Sequence, residues 1–329
     1  MCGAGENRAL ILMYHQVCEK KSDPWQLAVH PDNFQKQIEL LKRKFMVVAM
    51  DELVSALKSG TLRSNMIAIT FDDGFVDNYL NAAPLLEWYQ APAMFYLTTN
   101  PLKDQKLYWW DELQAIILFT ERLPKMLKIN VGGTPYQFEF RKDQVINART
   151  SQESISWVYG QPAPNERVSL LIHLWKLIQP LQRLDQYTVM RELRAWADVI
   201  YMPLGTGAPM KVYHMQKMCR NSLFSLGAHT VNHAMLGSQT ELVQAYEIRE
   251  SKNELENLSG KKVKALAYPY GNYTQVTQEL LQVNGYDYAV SAEQRAVSAT
   301  SDIFALPRMQ VLNWKPEELR YRMNTLLNG

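Results

Sequence analysis

Residues 66–74 of the chain, MIAITFDDG, pass from an apolar stretch directly into two acids and a glycine. Six consecutive apolar or β-branched residues predict a buried strand, and Gly74 permits the sharp turn that ends it. Adjacent carboxylates repel each other unless a cation or a shared proton relieves them, so Asp72 and Asp73 are candidates for a metal or proton-transfer site. The alternative is that one of them only caps the following helix.

Seven other stretches of the same kind extend this pattern along the chain. They are ALILMY at 9–14, MVVAM at 46–50, AMFYLT at 93–98, LFSLGA at 223–228, VKALAY at 263–268, YDYAVS at 286–291 and IFALPRMQV at 303–311. Helix-like segments separate them; residues 240–258, for example, are amphipathic and stop near Gly260. Strands that alternate with helices form parallel βα units. We therefore expect an α/β fold, a distorted (β/α) barrel of seven or eight strands rather than an open sheet.

The alternation of strands and helices stops between about 102 and 214. This region starts with YWWDELQAIILF, which is typical of a helix, and two strand-like stretches around Gly132 and Gly133 then predict a hairpin. Two more helix-like stretches follow, so the region is too long and too patterned for a bare loop. We interpret residues 1–329 as a single catalytic barrel with an inserted α+β subdomain. We expect the insertion to pack on the barrel and to shape one side of the active site.

The composition is that of an ordinary globular protein, with 47% hydrophobic and 21% charged residues among 329. The formal net charge of +2 comes from dispersed charges, so we expect no nucleic-acid partner and no surface for anionic membranes. Cys2, Cys18 and Cys219 are too few and too far apart for a disulfide framework or a cysteine-based zinc site. No stretch approaches the ~20 apolar residues of a transmembrane segment. We expect a cytoplasmic protein, or one whose export signal has been removed.

Polar residues of catalytic type fall where the predicted strands end. His15 follows the first strand, Asp72 and Asp73 follow the third, His229 follows the fifth, and residues 268–270 close the sixth. The C-terminal ends of the strands share one face of a parallel barrel, and active sites lie on that face. These residues are therefore expected to meet in one pocket, although they are far apart in the chain.

The segment HTVNH at 229–233 places two histidines four residues apart. In a helical turn both imidazoles would face the same side, although solvated helical histidines at this spacing are also common. Two histidines and one carboxylate leave coordination positions open and suit a catalytic Zn²⁺ or a similar divalent ion. The segment YPYG at 268–271 can turn tightly and aim a backbone N–H at a developing oxyanion. Alternatively, it is an ordinary turn with exposed aromatic side chains.

Together these motifs resemble the polysaccharide deacetylases, carbohydrate esterase family 4, in their chitooligosaccharide-deacetylase-like form. TFDDG at 70–74 matches the first motif of that family, HTVNH its His-x-x-x-His motif, and YPYG the centre of its third motif. The resemblance covers about 8–100 and 212–312 and leaves the insertion uncovered.

The resemblance implies a role for each matching residue. Asp73, His229 and His233 would hold a divalent metal, Zn²⁺ first and otherwise Co²⁺, Ni²⁺ or Mn²⁺. Asp72 would be the base that deprotonates the attacking water, and the backbone N–H of Tyr270 would stabilise the oxyanion. The expected reaction is hydrolytic removal of an N-acetyl group from an N-acetylhexosamine-containing glycan or glycolipid precursor. A lipid-linked or nucleotide-linked sugar would be one form of this substrate.

The chain departs from the family pattern at two positions. Leu266 stands where the third motif usually has an arginine that pairs with the base, and Arg308 is our candidate to replace it; the alternative is an ordinary surface arginine. The C-terminal Leu-x-His motif, which often supplies the general acid, is missing. His15 is the best-placed substitute, and the alternative is a histidine packed in the core.

Aromatic side chains supply the remaining predictions, because sugar rings stack on them. We expect Trp109 or Trp110 to contact the substrate, together with Tyr268 and Pro269 of the third motif, although aromatic residues more often belong to the core. Two other functions stay open. The same scaffold could hydrolyse another amide or an O-acetyl ester, or it could bind glycans without turnover.

Overall fold

The computed structural model describes residues 7–200 and 207–328, and these residues form two compact units. The first unit contains the described parts of 1–19, 27–105 and 209–329, and the second contains the described parts of 20–26 and 106–208. Cys2 and the part of the expected insertion at 201–206 lie outside the described residues.

The strands and helices follow each other in the order that the sequence predicts for βα units. The strands are β1 (Leu10–Tyr14), β2 (Gln16–Val17), β3 (Ala28–Val29), β4 (Met46–Val48), β5 (Met66–Phe71), β6 (Ala93–Leu97), β7 (Met126–Val131), β8 (Thr134–Glu139), β9 (Phe224–Ala228), β10 (Ala265–Ala267), β11 (Tyr288–Val290) and β12 (Met309–Gln310). The α-helices are α1 (Pro31–Lys44), α2 (Met50–Lys58), α3 (Ala83–Trp88), α4 (Thr99–Asp104), α5 (Trp109–Phe119), α6 (Ala148–Ser156), α7 (Glu166–Ile178), α8 (Arg183–Trp196), α9 (Val212–Met218), α10 (Glu241–Ser259), α11 (Gln275–Val283) and α12 (Pro316–Asn328). Short helical turns of other types lie at Asn78–Ala82, Leu236–Ser238 and Pro269–Gly271.

The first unit is built on an eight-stranded sheet in the order β11-β10-β9-β6-β5-β1-β12, with β4 paired to β5. All of these pairings are parallel. Strand β5 has two neighbours on one side, because β4 pairs with its first half and β6 pairs with Thr70 and Phe71 at its end. The strand that ends in the two acids therefore lies in the middle of the sheet.

The segment before β12 joins the two edges of this sheet. Leu306 forms a parallel bridge with Val290 of β11, and Met309 and Gln310 pair with β1. Ser291 N also donates to the carbonyl of Leu306 at 2.8 Å. The sheet therefore curls into the distorted (β/α) barrel that the sequence predicts.

The central strands are buried on both faces, as parallel sheets covered by helices require. All six residues of β5 are buried. Ile67, Ile69 and Phe71 join one hydrophobic cluster, whereas Met66 and Ala68 join another. This alternation follows from the two-residue repeat of a strand, and it explains why the sequence of β5 is apolar throughout.

The second unit has a core of its own, formed by α5, α7, α8 and the antiparallel hairpin of β7 and β8. Arg167 is fully buried in it. Its guanidinium donates to the backbone carbonyls of Ile117, Thr120, Glu121, Asp143 and Gln144. These bonds satisfy carbonyls that a helix end and a loop would otherwise leave buried without donors.

None of the helices that the structure describes combines the length and the apolar character needed to span a membrane.

Candidate metal and catalytic site

The ends of four barrel strands carry the predicted site residues. Asp72 and Asp73 directly follow β5, His15 follows β1, His229 follows β9, and residues 268–270 follow β10. Because these strands are parallel, their C-terminal ends lie on the same edge of the barrel. The shared C-terminal end of the parallel strands, and not proximity in sequence, brings these residues together.

Asp73, His229 and His233 form a buried group of three possible metal ligands. Their side chains are at most 8% exposed, and their candidate ligand atoms all lie within 4.8 Å of one another. Asp73 Oδ1 lies 3.4 Å from Nε2 of His229 and 3.1 Å from Nε2 of His233. Two imidazoles and one carboxylate are the donor set of many catalytic divalent-metal sites. These residues therefore fit the metal that the resemblance implies.

Hydrogen bonding fixes the orientation of one of the two imidazoles. His229 Nδ1 lies 2.8 Å from the carbonyl of Ala267, so this nitrogen carries the proton. Nε2 then has its lone pair directed at the side where Asp73 lies. A backbone acceptor on the far nitrogen is the usual support of a metal-binding histidine.

The two histidines converge through a non-helical turn, and not through the helical turn that their i, i+4 spacing would also have allowed. Thr230 has φ +63° and His233 has φ +58°, both in the left-handed region. The His229 and His233 rings meet edge to face with centroids 4.8 Å apart. Asp73 is also left-handed, with φ +71°. Aspartate tolerates this conformation better than most residues, whereas a β-branched threonine is strained in it.

Asp72 pairs with Arg308, the residue that the sequence suggested as the replacement for the missing arginine. Nη1 and Nη2 of Arg308 donate to Oδ1 and Oδ2 of Asp72 at 2.7 and 2.6 Å. The guanidinium is 1% exposed. Its Nε donates to the carbonyl of Ser291 at 2.8 Å, and its Cζ lies 5.5 Å from the ring centroid of Tyr96. Arg308 is thus a buried, fully oriented partner and not a surface residue.

The two adjacent acids are both held in the ionised form, each by a different partner. Burial opposes the ionisation of Asp72, but the Arg308 guanidinium outweighs it and lowers the pKa of that carboxyl. Burial also opposes the ionisation of Asp73, but the neighbouring imidazoles of His229 and His233 lower the pKa of its carboxyl well below the ordinary value. The repulsion expected between neighbouring carboxylates is therefore relieved on two separate sides.

His15 lies in the electrostatic field of this group. Burial lowers the pKa of its imidazole; the carboxylates of Asp73 and Asp72 act in the opposite direction, and Arg308 and His229 reinforce the lowering. The side chain is partly exposed, so it is not sealed in the core. The neutral imidazole is accordingly its resting form at neutral pH.

Asp77 and Asn78 hold the loop that carries His15, and sequence reasoning did not single them out. Asp77 Oδ1 accepts from the backbone N–H of Val17 at 2.7 Å, and its Oδ2 accepts from Gln16 Nε2 at 3.3 Å. Asn78 Nδ2 donates to the carbonyl of His15 at 2.7 Å. The only signal in the sequence is that these two polar residues follow the first motif closely.

The third motif forms a tight turn whose side chains are largely committed to packing. Tyr268 is 1% exposed, and its hydroxyl donates to the carbonyl of Phe304 at 2.7 Å. Pro269 is also buried. Tyr270 has a left-handed backbone with φ +59°, and its ring meets His233 edge to face at 4.6 Å. Tyr270 thus lies against the metal-ligand group, whereas Tyr268 leaves little side-chain surface for a ligand.

Trp109 and Trp110 start α5 in the second unit. Trp110 is 4% exposed and stacks on Tyr108 with ring centroids 4.4 Å apart. Trp109 packs against the core of that unit. Their contact with a substrate stays a prediction.

Comparison with known proteins finds similarity to deacetylases. A family model described as Polysaccharide deacetylase matches residues 59–119 and 201–289. The polysaccharide deacetylase candidate YxkH of Bacillus subtilis is 26% identical over 129 residues, which are 39% of this chain and 46% of YxkH. The poly-beta-1,6-N-acetyl-D-glucosamine N-deacetylase of Staphylococcus epidermidis is 25% identical over 107 residues, which are 30% of this chain and 37% of that protein. The chain thus spans less than half the length of the curated relatives it matches.

A solved structure has the same fold over nearly its whole length. The Streptococcus pyogenes deacetylase PplD, determined in complex with acetate, superposes with a TM-score of 0.61 at 20% sequence identity. The match covers 97% of this chain and 99% of PplD. At this level of identity the likeness establishes the architecture, and the chemistry has to be argued from the residues of this chain.

Proposed function

We propose that this chain, whose residues 59–119 and 201–289 match the polysaccharide deacetylase family, removes the N-acetyl group from an N-acetylhexosamine unit by metal-dependent hydrolysis. One observation carries the proposal. Asp73, His229 and His233 form a buried group of possible metal ligands. Beside them lies a second carboxylate, Asp72, which the buried Arg308 orients. A glycan-binding protein without turnover has no need of an oriented base next to a metal site.

We propose Zn²⁺ as the first candidate for the cation, on the basis of the two-histidine, one-carboxylate donor set. A divalent cation held there would polarise the carbonyl of the acetamide and lower the pKa of a water toward neutrality. All other steps fall to side chains and backbone groups of this chain. Asp73 supplies the negative charge of the site, and His229 and His233 supply its neutral nitrogen donors.

Asp72 would act as the base. Arg308 keeps the carboxylate ionised and fixes the plane of its two oxygens. The directions of the lone pairs that remain to accept a proton are thereby fixed as well. A carboxylate of low pKa is a weak base and can accept a proton only from an acidified water. The base and the cation site therefore depend on each other.

His15 and Tyr270 would complete the reaction. The leaving amine needs a proton, and His15 is our candidate donor because it lies in the field of both acids. Its lowered pKa means that it starts neutral and has to receive the proton during the cycle. The backbone N–H of Tyr270, in the turn against His233, is our candidate donor to the developing oxyanion.

The name of one relative supports a proposal for the substrate class. The Staphylococcus epidermidis relative is named for poly-β-1,6-N-acetyl-D-glucosamine, and we propose an N-acetylglucosamine polymer as the first substrate to test. A lipid-linked or nucleotide-linked N-acetylhexosamine is the second.

Acetate release tests the proposal directly. The substrates would be poly-β-1,6-N-acetylglucosamine, N-acetylglucosamine oligomers and O-acetylated sugars, with Zn²⁺ added or after chelation. We expect metal-dependent release from N-acetylated substrates, and a fall in kcat of about 10²–10⁴-fold in Asp72→Asn. Asp32→Asn, whose side chain is 77% exposed, is the matched control and should keep full activity. Undiminished release by Asp72→Asn, or silence of the zinc-loaded protein on every N-acetylated substrate, would contradict the proposal.

A further inference from the structure

A buried glutamate lies next to the turn that carries the two histidines. Glu247, in α10, is 3% exposed. Its Oε2 accepts from the backbone N–H groups of Val231 and Asn232 at 2.8 and 2.9 Å, and its Oε1 accepts from the side-chain amide of Asn232. One carboxylate thus collects three N–H donors from the middle of the HTVNH segment, between His229 and His233.

This turn needs such support, because its backbone is strained. Thr230 and His233 both have positive φ, and threonine, being β-branched, is especially disfavoured there. A conformation of this kind persists only when the surrounding structure over-determines it. The metal-ligand atoms on either side can keep their separation only if the turn does.

The carbonyl groups and the N–H groups of this turn are hydrogen-bonded by different parts of the chain. The acceptors of the turn are served from the end of β6 and from α4: Thr98 Oγ1 donates to the carbonyl of His229 at 3.1 Å, and Asn100 N donates to the carbonyl of Val231 at 2.9 Å. Asn100 Nδ2 also donates to Oδ1 of Asn232. The donors at Val231 and Asn232 are served by Glu247.

We propose that Glu247 is a positioning residue that sets the geometry of His229 and His233 for the metal; this rests on the proposed function of the site. A carboxylate is required because all of its lone pairs accept, whereas a glutamine of the same shape places an NH₂ group against one of the donors. If Asn232 rotates its amide to resolve that conflict, its Oδ1 no longer accepts from Asn100, and the conflict moves to the Asn100 amide.

Zn²⁺ affinity of the purified full chain, measured by competition with a chromophoric chelator, tests this role. We expect Glu247→Gln to weaken zinc binding about tenfold and to lower kcat by a similar factor while KM is nearly unchanged. Glu250→Gln is the matched control, because Glu250 lies on the same helix and its carboxylate pairs with Arg249. It should leave zinc affinity and kcat at their wild-type values.

A compensating variant separates positioning from loss of stability. In Glu247→Gln combined with Asn232→Asp, the carboxylate moves to position 232 and the amide to position 247, so the number of charges is conserved. The new carboxylate can accept from the new amide and from Asn100, and every donor again faces an acceptor. We expect the double variant to regain zinc affinity to within about threefold of wild type, a difference well under a tenfold step, whereas Asn232→Asp alone sets two carboxylates together and loses affinity.

The outcomes distinguish this inference from the proposed function. If the wild type binds zinc and Glu247→Gln binds it equally well, or if the double variant is no better than either single variant, the positioning role is wrong. If the wild type binds no zinc, the proposed metal site fails instead. Hydrogen exchange of the Val231 and Asn232 amides in wild-type protein needs no variant to fold. Slow exchange supports the contact with Glu247, and exchange as fast as in an open loop overturns it.

Discussion

Arg308 and Asp72 face each other through two parallel hydrogen bonds of 2.7 and 2.6 Å, although 236 positions separate them in the chain. Both side chains are almost completely buried. A buried pair of this kind costs desolvation on both sides, and removal of one partner leaves an uncompensated charge. The pair therefore belongs to the chemistry of the site more than to the stability of the barrel.

Arg308→Lys keeps the positive charge but loses the planar fork that grips both oxygens of Asp72. We expect kcat to fall about tenfold or more with little change in KM, because Asp72 loses its orientation whereas the contacts that bind the substrate are unchanged. Steady-state acetate release checks this. Arg295→Lys, at an exposed arginine that pairs with Glu293, is the control. A kcat equal to that of wild type would show that the orientation of Asp72 is unimportant.

His233→Ala removes one of the three possible metal ligands. We expect zinc stoichiometry, measured by elemental analysis after gel filtration, to fall from about one per chain toward zero, because two remaining donors hold zinc too weakly. His173→Ala, at an exposed histidine of α7, should retain the metal. Retention of zinc by the His233 variant would mean that the ion binds elsewhere.

Asp77→Ala releases the loop that carries His15. Without its acceptors for Val17 and Gln16, the loop becomes mobile, and we expect kcat to fall about tenfold while zinc affinity stays at the wild-type value. The comparison of kcat with zinc affinity is the informative one. If both fall together, Asp77 supports the whole site and not the His15 loop alone.

Gly227→Ala places a methyl group against the ring of Tyr96. The added Cβ would lie 2.3 Å from Cδ1 and 2.4 Å from Cε1 of that ring, which is far inside van der Waals contact. We expect a loss of about 1–3 kcal/mol in the free energy of unfolding, as overpacking usually costs. Urea unfolding of this variant, of Tyr96→Leu and of the double variant would measure the coupling. Additive effects would show that the two residues do not meet.

His214 makes the stability of the first unit depend on pH. Its Nδ1 accepts from the backbone N–H of Lys211 at 3.0 Å, which requires an unprotonated nitrogen. Burial, with help from Lys211 and Lys217, lowers the pKa of His214 below its usual 6.5. The unfolded chain therefore binds more protons, and stability that is present above pH 6.5 is lost as the pH falls through the lower folded value. Urea unfolding at pH 5 and 8 checks this, and His214→Gln, which still accepts but does not titrate, should show a weaker dependence.

The strands of the barrel could be predicted because each is a short apolar stretch that ends in a turn. Residues 66–71 were placed without error, and the eight predicted strands correspond to the eight of the sheet. The last one was predicted too long. Within residues 303–311 only Met309 and Gln310 form a strand, and Leu306 makes a single bridge. The composition of an apolar turn is not different enough from that of an edge strand to separate the two.

The pairing of Arg308 with Asp72 was predicted from the family resemblance, because Leu266 stands where that family usually has an arginine and Arg308, in the last predicted strand, was the candidate replacement. The contacts of Asp77 and Glu247 were not. Each of these acids accepts hydrogen bonds from backbone N–H groups of a loop. The path of a loop depends on residues with left-handed backbone conformation, and a sequence pattern does not predict that conformation for a residue such as Thr230. For the same reason the sequence could not distinguish a helical from a non-helical path for the histidine segment at 229–233.

The left-handed backbone at Asp73 limits which residues can replace it. Among the common residues, Gly, Asn and Asp tolerate positive φ readily, and of these only aspartate also brings a charged ligand. A library randomised at position 73 would therefore be depleted twice, once for folding and once for metal retention. Asparagine alone separates the two selections, since it keeps the backbone and removes the charge. A folded, metal-free Asp73→Asn protein would be the natural reference state for measuring how much of the fold's stability the bound ion supplies.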